Sequence, residues 1–266
     1  MFNNLDFFTQ KYLLYEVLSL HFNHLNPHEI QIIINQYFFN KTQIIQEISL
    51  LELENFLNQY SSIHINEQKP LSKIFKNKQF YGLDFYVDEN VLCPRQETEI
   101  LIEFIINLNL NFNSVLDLGT GSGIIAITLK KFLNSSITAI DICDKALNIA
   151  KKNAKKHNVN INFVQNNWLE NINEKYDILI SNPPYLSNEE IIKNKELSFD
   201  PYIALFAEDD GFYFYEKIAE KKHLFKYIFL EINYKHINKL ENLFPNCVFI
   251  KDYNGFNQFL YYKNIL

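Results

Sequence analysis

Glycine is scarce in this chain, with 6 in 266 residues, and so are proline with 7, cysteine with 3, methionine with 1 and tryptophan with 1. The three cysteines, Cys93, Cys143 and Cys247, are odd in number and scattered, without CxxC or CxH spacing. They exclude a disulfide scaffold and a cysteine-held metal and suit a reduced compartment. Positive charge is not in excess: 25 Lys+Arg stand against 31 Asp+Glu, for a net charge of -6 and a pI near 5.7. No global field is available to hold nucleic-acid phosphates. No apolar run approaches the roughly 18 residues of a membrane span, since stretches such as Ile30 to Phe39 are broken by Gln and Asn. The N-terminus lacks the basic head and apolar run of a secretory signal, so a cytoplasmic location is expected. The seven histidines show no ligand spacing beyond His21 and His24 at i, i+3, and no metal is expected. What is present is a globular composition, 47% hydrophobic and 15% aromatic, enough for one large domain or two modest ones.

Residues 1 to 75 contain no glycine, and apolar positions such as Leu13, Leu14, Val17 and Leu18 recur at helical spacing. Asn26-Pro27 places a capping residue before a proline at the first helical position, and Ile44, Ile45, Ile48 and Leu51 supply further buried faces. A small helical bundle is predicted over 1–75. From 76 to 95 the pattern changes to a hairpin linker, with strands over Phe80–Val87 and Val91-Leu92 around a turn at Asp88-Glu89-Asn90. Beyond it, strands at 114–118, 137–141, 161–165, 176–181, 226–231, 247–251 and 258–263 alternate with helices at about 123–133, 144–157, 211–222 and 234–243. Residues 96–266 therefore predict a doubly wound, Rossmann-like α/β sheet, mostly parallel, with one antiparallel strand near the C-terminus.

Three of the six glycines fall within Gly119-Thr120-Gly121-Ser122-Gly123, directly after the apolar strand Val115-Leu116-Asp117-Leu118 and before a helix. In a chain so poor in glycine this is a backbone requirement: a tight turn that lets a ligand lie against bare backbone. The spacing lacks the third glycine of GxGxxG, and an acid at Asp117 suits an amino or sulfonium group better than a pyrophosphate. Asp141 ends the next strand, where a carboxylate can accept ribose hydroxyls. After the third strand, Asn167 can read the edge of an adenine on which Trp168 packs, although Trp168 also suits a partly buried core position. The fourth strand ends at Ser181-Asn182-Pro183-Pro184-Tyr185. Two prolines remove two N–H donors, leaving the Asn182 side-chain oxygen and the Pro183 carbonyl to accept both hydrogens of an NH2 group. The Tyr185 ring can lie against a planar substrate, so the turn is a socket for an amide or an exocyclic amine.

The order of these elements resembles S-adenosylmethionine-dependent methyltransferases acting on planar nitrogen. With Val91-Leu92-Cys93-Pro94-Arg95-Gln96-Glu97-Thr98-Glu99 ahead of the glycine loop, it resembles more narrowly the peptide chain release factor glutamine methyltransferases. The resemblance implies that Asp117 and Gly119 to Gly123, with Thr120 and Ser122, cradle the cofactor's methionine part. It also implies that Asp141 binds the ribose, Asn167 and Trp168 flank the adenine, and Asn182, Pro183, Pro184 and Tyr185 hold the substrate glutamine, with Asn182 close to the cofactor as well. Asn182, Pro183 and Tyr185 would be the catalytic set. The implied partner is a class I release factor, methylated on the glutamine of its Gly-Gly-Gln loop, with the helical domain as docking surface. A monomer, with no membrane and no direct nucleic-acid contact, is expected. Pro94, Arg95 and Glu97 would shape the cofactor entrance; Arg95 fits a structural clamp as well as a substrate contact. Departures from the family pattern are Asn167 for Asp, Asp200 for Glu, Asn257-Gln258 for Asp-Arg and Gln96 for Pro. Two rivals carry weight: an adenine or guanine amino-methyltransferase acting on DNA or ribosomal RNA, which would share the socket, and a cofactor-binding protein that has lost activity.

Overall fold

The computed structural model describes Ile30 and residues 69–264. The chain divides into two compact units, Met1–Phe75 and Lys76–Leu266. The bundle predicted over 1–75 lies outside the described residues, apart from Ile30 and 69–75, of which Leu71–Phe75 form helix α1. All that follows concerns the second unit.

It opens with a hairpin, β1 (Asn77–Phe80) and β2 (Leu83–Tyr86), paired antiparallel with Phe80 opposite Leu83. The turn is therefore Tyr81-Gly82, at φ of 48° and 71°, the doubly left-handed pair whose twist matches a tight hairpin. This corrects the predicted turn at Asp88-Glu89-Asn90. That segment does turn, with the Asp88 carboxylate accepting from the Asn90 N–H at 2.8 Å, but it leads into loop rather than a returning strand. Val91, predicted as strand, is buried against Val87, Ala146 and Ile149. Helix α2 (Thr98–Asn107) was not predicted, although Thr98, Leu101, Ile102 and Ile105 are its buried residues at i, i+3, i+4 and i+7.

The seven-stranded sheet takes the order β5-β4-β3-β6-β7-β9-β8. Its members are β3 (Ser114–Leu118), β4 (Ser136–Asp141), β5 (Asn162–Gln165), β6 (Tyr176–Ser181), β7 (Phe225–Glu231), β8 (Val248–Lys251) and β9 (Asn257–Lys263). All neighbours pair parallel except β9, which runs antiparallel to both β7 and β8. Between the strands run α3 (Ile124–Phe132), α4 (Asp144–Lys156), α5 (Asn188–Lys193), α6 (Tyr213–Glu220) and α7 (Ile237–Leu243). The last is entered by a 3-10 turn over Tyr234–His236, where one continuous helix was predicted.

Side chains on a strand alternate between faces, and the two cores follow that period. Val115, Ile178, Ile180 and Phe229 pack on one face with Leu101, Ile105 and Ile127, together with Phe80 and Phe85 of the hairpin. Leu116, Leu179, Ile228 and Leu230 pack on the other with Tyr215, Ile218, Leu240 and Phe244. Helices cover both faces, as the near-continuous apolar strands require. Buried Asn153 of α4 ties the hairpin to this scaffold. Its amide donates to Tyr86 C=O (3.0 Å) and Ser122 C=O (2.9 Å), and its oxygen accepts from Tyr86 N–H (2.8 Å). Asn153→Ala strands all three backbone groups and is expected to cost about 3 kcal/mol in urea unfolding. A loss under about 1 kcal/mol would mean that water replaces the amide.

Candidate active site

The strands β3, β4, β6 and β7 are parallel, so their C-terminal ends open onto one edge of the sheet. At the end of β3 the N–H groups of Gly119 and Thr120 both donate to Ile140 C=O at 2.9 Å, folding the glycine loop against the end of β4. Gly119, Gly121 and Gly123 have φ of 74°, 54° and 83°. A Cβ added at Gly119 or Gly121 would meet nothing within 4 Å, whereas at Gly123 it would press on Ala150 Cβ and Ile127 Cδ1 at 3.0 Å. The first two glycines leave bare backbone facing open space, and the third lets α3 pack on α4.

Asp117 lies beneath this loop with no exposed surface. One carboxylate oxygen accepts from Thr120 Oγ1 (2.6 Å) and Ala126 N–H (3.1 Å); the other is buried without a partner among the described residues. Burial pushes the Asp117 carboxyl up to about 7, against the pull of those two donors, and the nearby Asp141 charge pushes the same way. Asp141 ends β4, with one oxygen accepting from Gly121 N–H (2.8 Å) and the other from Cys143 N–H (2.9 Å). The Ile142 N–H bonds the same carboxylate, and burial raises this carboxyl as well, its three backbone donors opposing. Cys143 is the N-cap of α4, and Asp144 lies in its first turn.

Beyond β5, Asn167 is exposed and its amide donates to the Glu170 carboxylate. Trp168, at φ 50°, stacks on Phe214 with ring centres 4.0 Å apart. At the end of β6, Ser181 Oγ donates to Leu118 C=O at 2.7 Å, and Ser181 pairs with Leu118 in register. Asn182 thus leaves β6 beside Gly119 leaving β3. Among the described residues the Asn182 side chain has no hydrogen-bond partner, and it is half-buried, while Pro183 is buried. The Tyr185 hydroxyl donates to a Glu231 carboxylate oxygen at 2.9 Å, and the Tyr185 C=O accepts from the Asn233 amide at 3.4 Å. The following chain is braced by Leu186 N–H to Leu205 C=O (3.0 Å) and Ala207 N–H to Leu186 C=O (3.1 Å).

Of the two readings of Arg95, the geometry supports the clamp: its guanidinium meets Asp200 Oδ2 at 3.0 Å, and Asp200 Oδ1 accepts from Cys93 N–H at 2.8 Å. Asp200 therefore gives one oxygen to the Arg95 guanidinium and the other to the backbone two residues upstream, pinning the segment at both points. Glu97 is the N-cap residue of α2. Sequence reasoning missed the part played by Glu231, which is 1% exposed and ends β7 as Asp141 ends β4. An acid closing the apolar run Tyr227-Ile228-Phe229-Leu230 was the available signal.

The residues present fit a cationic nucleoside. An orphaned buried acceptor sits under an open glycine loop, a second acid closes the adjoining strand, and the next strand end offers free acceptors. Such an edge on this sheet order has the layout of an S-adenosylmethionine-dependent methyltransferase site. The family model described as "Methyltransferase small domain" matches residues 94–197. The chain is 48% identical over 188 residues to a release factor glutamine methyltransferase of Flavobacterium psychrophilum, which covers 66% of this chain and 64% of that protein. It is 42% identical over 208 residues to another of Streptococcus pneumoniae, covering 75% of this chain and 74% of that one. A solved methyltransferase from Pyrococcus furiosus superposes with a TM-score of 0.51 at 17% identity, over 79% of this chain and 100% of its own, and shows the shared fold. The chain belongs to the release factor glutamine methyltransferase family. Among the described residues no helix is long and apolar enough to cross a membrane.

With its carboxyl raised from 3.8 to about 7, Asp117 holds a proton in the folded protein that it would lose unfolded. The stability from that proton is full below pH 3.8 and lost as pH rises through about 7. A cation bound above it favours the carboxylate, so binding releases the proton. S-adenosylmethionine affinity should therefore rise up to tenfold per pH unit between about pH 5.5 and 7 in calorimetric titrations, and flatten in Asp117→Asn. Equal pH dependence in wild type and variant would remove Asp117 from the cation's surroundings.

Proposed function

We propose that this chain transfers the methyl group of S-adenosylmethionine to the side-chain amide nitrogen of the glutamine in the Gly-Gly-Gln loop of class I release factors. It does so in the cytoplasm as a monomer, without touching nucleic acid, and residues 1–75 form the domain that docks the protein substrate. The observation that carries the reading is the Asn182-Pro183-Pro184-Tyr185 turn beside the glycine loop, with the Asn182 side chain unengaged and half-buried.

The cofactor, when bound, supplies a methyl carbon activated by a sulfonium leaving group. In this reading Asp117 and the loop from Gly119 through Thr120, Gly121 and Ser122 to Gly123 receive its methionine part. Asp141 accepts the ribose hydroxyls, and Asn167 and Trp168 bound the adenine. An amide nitrogen is a poor nucleophile, because its lone pair is delocalised into the carbonyl. Asn182 Oδ1 and the Pro183 C=O each accept one hydrogen of the substrate NH2, fixing the nitrogen for in-line attack at near-attack distance. As that nitrogen gains positive character, the same two acceptors bind its hydrogens more strongly than in the ground state. Pro184 holds the turn rigid, and the Tyr185 ring supports the amide plane. No general base is needed before transfer, since the methylated nitrogen is acidic enough to lose its proton to water afterwards.

The test is transfer of labelled methyl to a purified release factor, its Gly-Gly-Ala variant, unmethylated DNA and ribosomal RNA in parallel. Label on the intact release factor alone is expected; label on nucleic acid alone would move the assignment to the amino-methyltransferase reading. Asn182→Ala should lower kcat about 100-fold or more, with S-adenosylmethionine affinity within about threefold of wild type. Equal losses in both would make Asn182 a cofactor residue only.

A further inference from the structure

The Glu231 carboxylate holds two elements at once. One oxygen accepts from the Tyr185 hydroxyl at 2.9 Å and the other from Thr98 Oγ1 at 2.8 Å. Gln258 of β9 adds a side-chain hydrogen bond to the same group. Thr98 opens α2, directly after the Pro94-Arg95-Gln96-Glu97 segment, and Tyr185 closes the Asn-Pro-Pro-Tyr turn. Thr98 and Glu231 are each 1% exposed, so the carboxylate itself is shielded from water. Tyr215 on α6 completes the surroundings, its hydroxyl donating to Glu231 C=O at 3.3 Å and accepting from Asn233 N–H at 3.2 Å. Burial raises the Tyr185 phenol well above its ordinary value, and the Glu231 charge adds to that, so the hydroxyl stays protonated and always donates.

The backbone beside Tyr185 is as constrained as its hydroxyl. Asp209, Asp210 and Gly211 have φ of 52°, 53° and 87°, and a Cβ at Gly211 would lie 2.2 Å from the Tyr185 C=O. His236 secures that turn, its Nε2 lying 2.9 Å from Asp210 C=O. One end of Tyr185 is wedged by a glycine and the other is held by a buried acid.

We propose that Glu231 is the positioning residue for Tyr185: through the phenol it sets the ring's pose against the substrate amide, with Thr98 fixing the carboxylate from the signature segment. The inference rests on the reading of Tyr185 as facing the substrate glutamine. Glu231 itself touches neither substrate nor cofactor. Arg95 and Asp200 clamp the front of the signature segment, and Thr98 and Glu231 tie its rear to the turn that receives the amide. The two sequence signatures are thus one mechanical unit with a single buried carboxylate at the joint.

The test is a double-mutant cycle on Glu231→Gln and Tyr185→Phe, with release-factor methylation, S-adenosylmethionine binding and thermal unfolding all measured. Each single variant should lower kcat by about five- to twentyfold, while cofactor affinity stays within about twofold. The double variant should be no slower than the worse single one, because removing the phenol removes what Glu231 acts through. Losses that multiply, or a fall in cofactor affinity that tracks the fall in kcat, would overturn the inference while leaving the proposed activity in place. Absence of glutamine labelling by the wild type would overturn both. If Glu231→Gln does not fold, Thr98→Val with Tyr185→Phe runs the same cycle on the carboxylate's other support, with the same expectation of non-additivity. Thr98→Ser, which keeps the hydroxyl, should restore the rate lost in Thr98→Val.

Discussion

The parallel pairing of β3 with β6 is the constraint on which the site depends, because its register sets Leu118 opposite Ser181. The glycine loop and the Asn-Pro-Pro-Tyr turn begin one residue later on each strand, so the two become neighbours through backbone geometry alone. Ser181 adds a side-chain bond to Leu118 C=O at 2.7 Å where the chains begin to part. A slip of one residue would turn every side chain of β6 to the opposite face and carry the socket away from the loop. Flanking registers protect against it: Leu118 also pairs with Ile140 of β4, and Ser181 with Leu230 of β7. The geometry at the edge inherits its precision from four strands locked in register.

Helices enter the site as supports. Gly123 lets α3 approach α4, Asn153 on α4 holds the Ser122 carbonyl and the hairpin, and Thr98 on α2 reaches Glu231. The candidate site residues stay on strand ends and the short turns after them, where the scaffold can hold them with little freedom. The loop after Tyr185 is fastened at Leu186 by two backbone bonds to Leu205 and Ala207.

Much of this was legible in the sequence, and the residues show why. Clustered glycines in a glycine-poor chain, and acids at the C-terminal ends of apolar strands at 117 and 141, are signals of local backbone need that do not wait on tertiary contacts. The parallel sheet with one reversed strand followed from the lack of room for a helix between 251 and 257. What escaped was decided by distant partners. Tyr81 does not look like a turn residue, and it takes φ 48° because Gly82 follows it and Glu99, 18 residues on, accepts its N–H at 2.8 Å. Helix α2 carries a readable period in Thr98, Leu101, Ile102 and Ile105, but it directly follows the Pro94–Glu97 segment, with no side-chain N-cap to mark its start. The Glu231 bonds span 46 residues to Tyr185 and 133 to Thr98, and no local pattern announces a partner at such separation.

The acids of the sheet differ by edge, and the difference marks where a ligand belongs. At the C-terminal edge Asp117, Asp141 and Glu231 are all raised, in each case chiefly by burial, and Asp117 keeps one oxygen unsatisfied. At the opposite edge, burial also pushes Asp177 up, but the Lys226 ammonium and the N–H groups of Asn113 and Ser114 outweigh it and hold that carboxyl below its usual range. Asp177 is therefore complete within the protein and contributes to the fold. Asp117 is not complete among the described residues, since a buried polar oxygen with no partner destabilises the folded chain until something outside it supplies one. A protein that only had to fold would place its uncompensated acid elsewhere or replace it by an apolar residue. Its position beneath an open glycine loop, one strand from a socket lined by acceptors, is consistent with a cationic methyl donor meeting an amide there.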